Sequence, residues 1–141
     1  MLEFIFGVFI VVHGLIHLFY FGQSRRLFDL QPGMVWPDGS WAFSKHLGNE
    51  TTRMLASTSC VLAAIGFVAG GVGLLTGQTW GIPVVVGSAA LSTIIFILFW
   101  DGNWQKWDDK GGVGILINMA ILVAVPLTFI VTCTQNPTSL T

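Results

Sequence analysis

Two histidines in the first hydrophobic stretch are the residues of this chain best suited to chemistry. His13 and His17 lie inside Phe4–Gly22, nineteen residues without a formally charged side chain. They are four residues apart, so in a helix both imidazoles share one face, one turn apart. An imidazole can transfer a proton, bind a metal ion or hydrogen bond across helices. Because burying it among apolar groups is costly, each ring must find a partner or face a cavity.

One chemistry open to such a pair is metal or haem binding. Two histidines at this spacing can bind one metal ion from a single helix. His46, in the polar segment that follows, is the candidate third ligand, with Glu50, Cys60 or water as substitutes. No other hydrophobic stretch contains a histidine, so a haem with two histidine ligands would need His46 or a second subunit.

The composition places the chain in a membrane. Of its 141 residues, 53% are hydrophobic and only 9% are charged, whereas soluble domains carry about a quarter charged residues. The length leaves room for one domain, residues 1–141. The net charge of −1 and six basic residues do not form a basic face, so nucleic acid is not an expected partner, whereas membrane lipids are. The first stretch has no basic region before it and is interpreted as a retained span.

Four stretches are long enough to cross a bilayer as helices, at residues 2–22, 52–76, 80–100 and 111–134. All six lysines and arginines lie in or beside the connections 23–51 and 101–110, and none in the second connection or the termini. By the positive-inside rule, both basic loops are cytoplasmic and both termini are outside. The predicted fold is an all-α membrane protein, a four-transmembrane-helix antiparallel bundle.

The first cytoplasmic loop is longer than a connection requires. Ser40–Leu47 is predicted to form a short interfacial helix, with Ser40 as N-cap and Gly48 as the stop. Its hydrophobic side chains would lie on the bilayer surface. Trp36 and Trp41 are also typical of the membrane interface.

Small residues recur at steps of three and four along the second span. Such a seam permits close approach by another helix, in the same chain or in a second one. It therefore predicts either internal packing or a homo-oligomer or larger membrane complex. The residues concerned are Ala63, Gly66, Gly70, Gly73 and Gly77.

The polar residues of all four spans lie at similar depth. At about 1.5 Å per residue, His17, Asn118 and Ser92 are roughly 8 to 12 Å from the cytoplasmic ends of their helices. Ser59 lies at a similar level, and His13 lies one turn deeper than His17. We therefore predict a polar pocket in the inner half, centred on the two histidines and Asn118, with the two serines in its wall. The alternative is that these groups only hold the helices together.

The segment His13-Gly-Leu-Ile-His17-Leu, with Phe19 and Phe21 after it, resembles the first span of a family of small four-span prokaryotic membrane proteins with an H-G-x-x-H segment. Residues 109–118, Asp-Lys-Gly-Gly-Val-Gly-Ile-Leu-Ile-Asn, are similar to that family's entry into its last span. The resemblance implies the fold and a prokaryotic cytoplasmic membrane. It implies no activity, because none is established for the family.

Three functions compete. We expect a non-enzymatic binding or accessory subunit whose pocket holds a lipid, a quinone-like molecule or a partner helix. The alternative is a metal- or haem-binding membrane protein using His13 and His17. An enzyme or transporter ranks third, because no nucleophile is paired with a base at recognisable spacing and no inverted repeat is visible.

Overall fold

The computed structural model of the chain is all-helical. It describes residues 2–103 and 111–135, with side chains at 4–103 and 111–127. Part of the predicted second cytoplasmic loop, residues 104–110 with Lys106 and Lys110, lies outside the described residues. The four helices are α1 Leu2–Ser24, α2 Ser44–Leu75, α3 Gly81–Leu98 and α4 Gly112–Gln135.

Three of the four helices, α1 to α3, are long and apolar enough to cross a membrane. The apolar part of α4 whose side chains are described, Gly112–Leu127, is shorter than a span. The bounds of α1, α3 and α4 lie within two residues of the predicted ones. Helix α2 begins earlier than predicted because it includes a turn before Gly48, where the backbone breaks at φ 74° and ψ 164°.

The helices pack in chain order, α1 on α2, α2 on α3 and α3 on α4. The small-residue seam of α2 forms the contact with α3: Gly66 lies against Ser88, and Gly70 against Val85. Gly73 lies against the first residues of α3. A second copy could use this face only by displacing α3. The predicted homo-oligomer therefore stays a prediction, and it would need another surface.

Two hydrophobic clusters fill the interior. We call the end where α1 and α3 finish and α2 and α4 begin the loop end. The loop-end cluster contains Met34, Trp36, Ala56, Cys60, Ala63, Ile95, Phe96 and Phe99. The far cluster contains Ile10, Phe67, Val85, Ala89, Ile121 and Val125.

The segment between α1 and α2 folds back over the loop end rather than lying away from it. The Gln23 amide is fully buried; it donates to the Met34 carbonyl at 2.9 Å and accepts from the Leu30 amide at 2.8 Å. Trp36 is only 3% exposed and touches the Tyr20 ring, with centroids 5.3 Å apart. Trp36 therefore does not expose its ring but completes the loop-end cluster, and its place at the membrane interface stays a prediction.

The predicted short helix at Ser40–Leu47 takes the form of a turn followed by the first residues of α2, ending at the Gly48 break. Ser40 accepts a hydrogen bond from the Phe43 amide at 3.2 Å and donates to the Leu98 carbonyl at 2.7 Å. The Trp41 indole donates to another carbonyl at the end of α3 at 2.7 Å. The segment thus supplies side-chain donors to carbonyls in the last turn of α3, where intrahelical amide donors run out.

Asp38 bonds two arginines, Arg26 of the same segment and Arg53 of α2. Its carboxylate accepts from Arg26 at 2.7 Å and from two nitrogens of Arg53 at 2.7 and 2.6 Å. Burial alone would raise the pKa of Asp38, but the hydrogen bonds and charges of Arg53 and Arg26 outweigh it, so its pKa lies below the ordinary value. We call these three side chains the Asp38 clasp.

We predict that Gly14→Ala destabilises the protein while Gly87→Ala does not. A Cβ at Gly14 would lie 2.7 Å from the Cβ of Phe67 and 3.2 Å from the Ala64 carbonyl oxygen, whereas a Cβ at Gly87 meets open space. Forcing α1 from α2 should cost about 1–3 kcal/mol, and the Gly87 change should gain up to about 1 kcal/mol of helix propensity. Thermal unfolding in detergent, followed by circular dichroism, measures both. Equal melting temperatures for the two variants would refute the close α1–α2 contact.

A second prediction concerns the Asp38 clasp. Asp38→Asn should lower the free energy of unfolding by about 1 kcal/mol near neutral pH, since the arginines are partly exposed. Because the pKa of Asp38 is lowered on folding, the clasp contributes at pH values above about 4 and is lost as the pH falls through the folded pKa. The gap between wild type and variant should therefore close on acidification, as measured by thermal unfolding at several pH values. Asp29→Asn, at an exposed position in the same segment, is the control and should change little.

Candidate functional site

Four polar side chains from three helices form a buried layer between the two hydrophobic clusters. His13 and His17 come from α1, Ser92 from α3 and Asn118 from α4. Their exposed fractions are 3%, 2%, 0% and 0%. Along its own helix, each of these residues lies between the part that packs in the far cluster and the part nearer the loop end. We call them the polar layer.

The bonds of His17 fix its tautomer. Its Nδ1 lies 3.1 Å from the backbone carbonyl oxygen of His13, which can only accept, so Nδ1 carries the proton. In the neutral ring Nε2 is then an acceptor. Ser92 Oγ lies 2.7 Å from it and must donate its only proton there.

The remaining bonds follow from that choice. Ser92 Oγ, its proton already used, accepts from Asn118 Nδ2 at 2.8 Å. This orients the amide so that Oδ1 faces His13 Nε2, at 2.8 Å, and accepts its proton. The flipped amide would require Ser92 to donate twice, which one hydroxyl cannot do. The two histidines therefore hold opposite tautomers in one directed chain of hydrogen bonds.

One atom of the polar layer is left over. His13 Nδ1 is buried and has no hydrogen-bond partner in the described part of the chain. Since Nε2 of the same ring carries the proton, Nδ1 is a bare acceptor. Any group that joined the polar layer at this point would have to be a donor.

Aromatic rings enclose the two imidazoles. The Phe67 ring lies 4.9 Å from His13 and 5.3 Å from His17, centroid to centroid. Phe96 lies 5.9 Å from His17, and Phe9 stacks on His13 at 6.1 Å. In such an apolar shell each hydrogen bond is electrostatically stronger, and each unpaired polar group costs more. Helix α2 thus contributes a ring to the shell.

The structure brings together four of the five residues predicted for the pocket. Ser92, predicted as a wall residue, is the centre of the layer, since it bonds both His17 and Asn118. Ser59 is only partly buried and takes part in none of the hydrogen bonds of the polar layer. That these residues hold a ligand stays a prediction. In the structure, their side chains hydrogen bond to one another.

The structure does not bring the three histidines together, and metal binding by them stays a prediction. His46 is exposed before the Gly48 break, whereas His13 and His17 are buried. Across residues 4–103 and 111–127, no group of three or more His, Cys, Asp or Glu side chains is placed to hold a metal ion. Both nitrogens of His17 and one of His13 are already hydrogen bonded. A metal between the rings would have to break the polar layer.

Sequence reasoning missed two residues that organise the loop end, Gln23 and Asp38. Gln23 directly follows the first hydrophobic stretch, and Asp38 lies in the turn signal Pro37-Asp38-Gly39. Neither position reveals by itself that a buried amide or a double arginine contact will form. The partners Met34 and Arg53 are brought to them only by folding.

Comparison with known proteins gives no relative from which a function could be transferred. No protein-family model matches the chain, and neither curated proteins nor solved structures include a match. The resemblance to four-span prokaryotic membrane proteins therefore stays a prediction.

We predict that Ser92→Ala destabilises the protein far more than Ser88→Ala, one turn earlier on the same helix. Removing the Ser92 hydroxyl leaves His17 Nε2 and Asn118 Nδ2 unpaired, at about 1–3 kcal/mol for each buried group. The Ser88 hydroxyl donates only to the Val84 carbonyl of its own helix at 2.7 Å, so its loss should cost under about 1 kcal/mol. Equilibrium unfolding in mixed micelles measures the difference. Equal losses would show that the polar layer contributes nothing specific.

Proposed function

We propose that the chain is a four-span integral membrane protein of a prokaryotic cytoplasmic membrane, with both termini outside. Three helices of spanning length support this placement. Helix α4, Gly112–Gln135, has 24 residues and no charged side chain, and about 20 residues suffice to cross a bilayer. All basic residues lie in or beside segments 23–51 and 101–110. By the positive-inside rule, this distribution supports a cytoplasmic position for both segments.

Its role is that of a non-enzymatic binding or accessory subunit. The observation that carries this proposal is the closure of the polar layer: four buried side chains bond one another and leave only His13 Nδ1 unpaired. A general acid or base must come within hydrogen-bond reach of a substrate. Here the candidate groups are used up in holding α1, α3 and α4 together, and the remaining nitrogen, His13 Nδ1, is buried.

The polar layer is best suited to fixing one arrangement of the helices. The His13–Asn118 bond joins α1 to α4, although these helices pack far less closely than consecutive ones do in the described residues. A mismatched packing would leave buried donors and acceptors unpaired, which is costly in an apolar interior. The ligand or partner then docks on the outside of the bundle, and a lipid, a quinone-like molecule or a partner helix remain its candidates.

Co-purification with a paired substitution tests the proposal. The full chain is extracted from native membranes in mild detergent, and bound lipids, quinones, proteins and metals are identified by mass spectrometry, metal analysis and an optical spectrum. We expect lipid or partner protein at defined stoichiometry with wild type, and the same with the double variant His13→Leu/Asn118→Leu. Replacing both members of a hydrogen-bonded pair is tolerated better than replacing one.

The single variant Asn118→Leu is the matched control for folding. It leaves His13 Nε2 and Ser92 without their partner and should be less stable than the double variant. A stoichiometric metal or a Soret band in wild type, lost in the double variant, would overturn the proposal in favour of a metal or haem protein.

A further inference from the structure

A groove opens on the outside of the bundle at the loop end, between the last turns of α1 and the facing turns of α2. Its volume is about 330 Å³. No residue of the polar layer lines this groove. The residues that line it are Phe21, Arg25, Ser57, Thr58, Val61 and Leu62.

The lining divides into a polar end and an apolar end. Arg25, Ser57 and Thr58 supply one guanidinium and two hydroxyls. Val61 and Leu62 follow one turn farther along α2, away from the loop end, and Leu62 is 56% exposed. A cation with hydroxyls at the level of the loop, above an apolar slot, matches a phospholipid, whose phosphate lies at the interface and whose acyl chains point inward.

Arg25 is free to meet a phosphate. The other two arginines, Arg26 and Arg53, both form ion pairs with Asp38. Arg25 is exposed and forms no ion pair with any residue that the structure describes. The Asp38 clasp therefore satisfies two guanidinium groups and leaves the third as an uncompensated charge on the rim of the groove.

The hydroxyls add a preference for a hydroxylated headgroup. Both Ser57 and Thr58 donate their protons to the Met54 carbonyl, at 2.8 and 3.0 Å. Their oxygens are thereby left as acceptors. Thr58 is exposed, so a headgroup hydroxyl can donate to it while Arg25 donates to the phosphate.

We propose that this groove binds an anionic phospholipid of the glycerol-headgroup type, with its phosphate on Arg25 and an acyl chain along Val61 and Leu62. The site carries one uncompensated positive charge, which an anionic lipid neutralises and a zwitterionic lipid, bringing its own ammonium, does not. The inference deepens the proposed function, on which it rests, by naming the lipid and its seat.

Native mass spectrometry of the full chain in mild detergent tests the proposal. Phosphatidylglycerol and phosphatidylcholine of the same acyl composition are titrated separately onto wild type and variants. We expect wild type to prefer phosphatidylglycerol, and Arg25→Gln to reduce that preference by about fivefold, the effect of about one interfacial charge. Lys45→Gln removes another exposed cation at the same end that does not line the groove, and it should leave the preference unchanged.

A second variant keeps the Arg25 charge and fills the apolar end of the groove. Leu62→Trp should fill the apolar end and weaken binding of phosphatidylglycerol even with Arg25 in place. Equal affinity of wild type for the two lipids, or an equal loss in Arg25→Gln and Lys45→Gln, would overturn the groove as the seat. Such a result would not contradict the accessory role, which is tested separately by co-purification with wild type and with the double variant His13→Leu/Asn118→Leu.

Discussion

The structure depends on one constraint: a polar group buried in an apolar interior is costly unless it is paired within the protein. Four such groups lie between the two hydrophobic clusters, and their hydrogen bonds run in one direction from His13 through Asn118 and Ser92 to His17. The backbone carbonyl of His13 closes the chain by accepting from His17. Because each proton has one acceptor, changing any member forces the others to change, so the layer behaves as a unit.

At the loop end other polar side chains are paired, while Trp36 Nε1 and Ser44 Oγ are buried without a hydrogen-bond partner among the described residues. Gln23 is buried and pairs with backbone atoms of the segment that follows α1, and Asp38 gathers two arginines at the surface. The segment thereby covers the loop-end cluster while Trp36 fills it. Both arginines of the clasp are paired with Asp38, whereas Arg25 forms no ion pair with any described residue.

Much of the fold could be predicted from the sequence, because hydrophobic length and small-residue spacing are local properties. The bounds of α1, α3 and α4 followed from them, and the meeting of His13, His17 and Asn118 followed from counting depth along the helices. The central role of Ser92 could not be predicted, since it depends on how α3 is rotated. Nor could the burial of Trp36 or the isolation of His46, because a long loop can lie on a bilayer or fold back onto its own protein, and only tertiary packing decides between the two.

The hydrogen bonds of the polar layer require two neutral imidazoles in opposite tautomers. Nitrogen-15 NMR of histidine-labelled protein in lipid bilayers at neutral pH reports protonation at each ring nitrogen directly. We expect a proton on Nδ1 alone for His17 and on Nε2 alone for His13. The same tautomer in both rings, or a doubly protonated ring at either position, would contradict it.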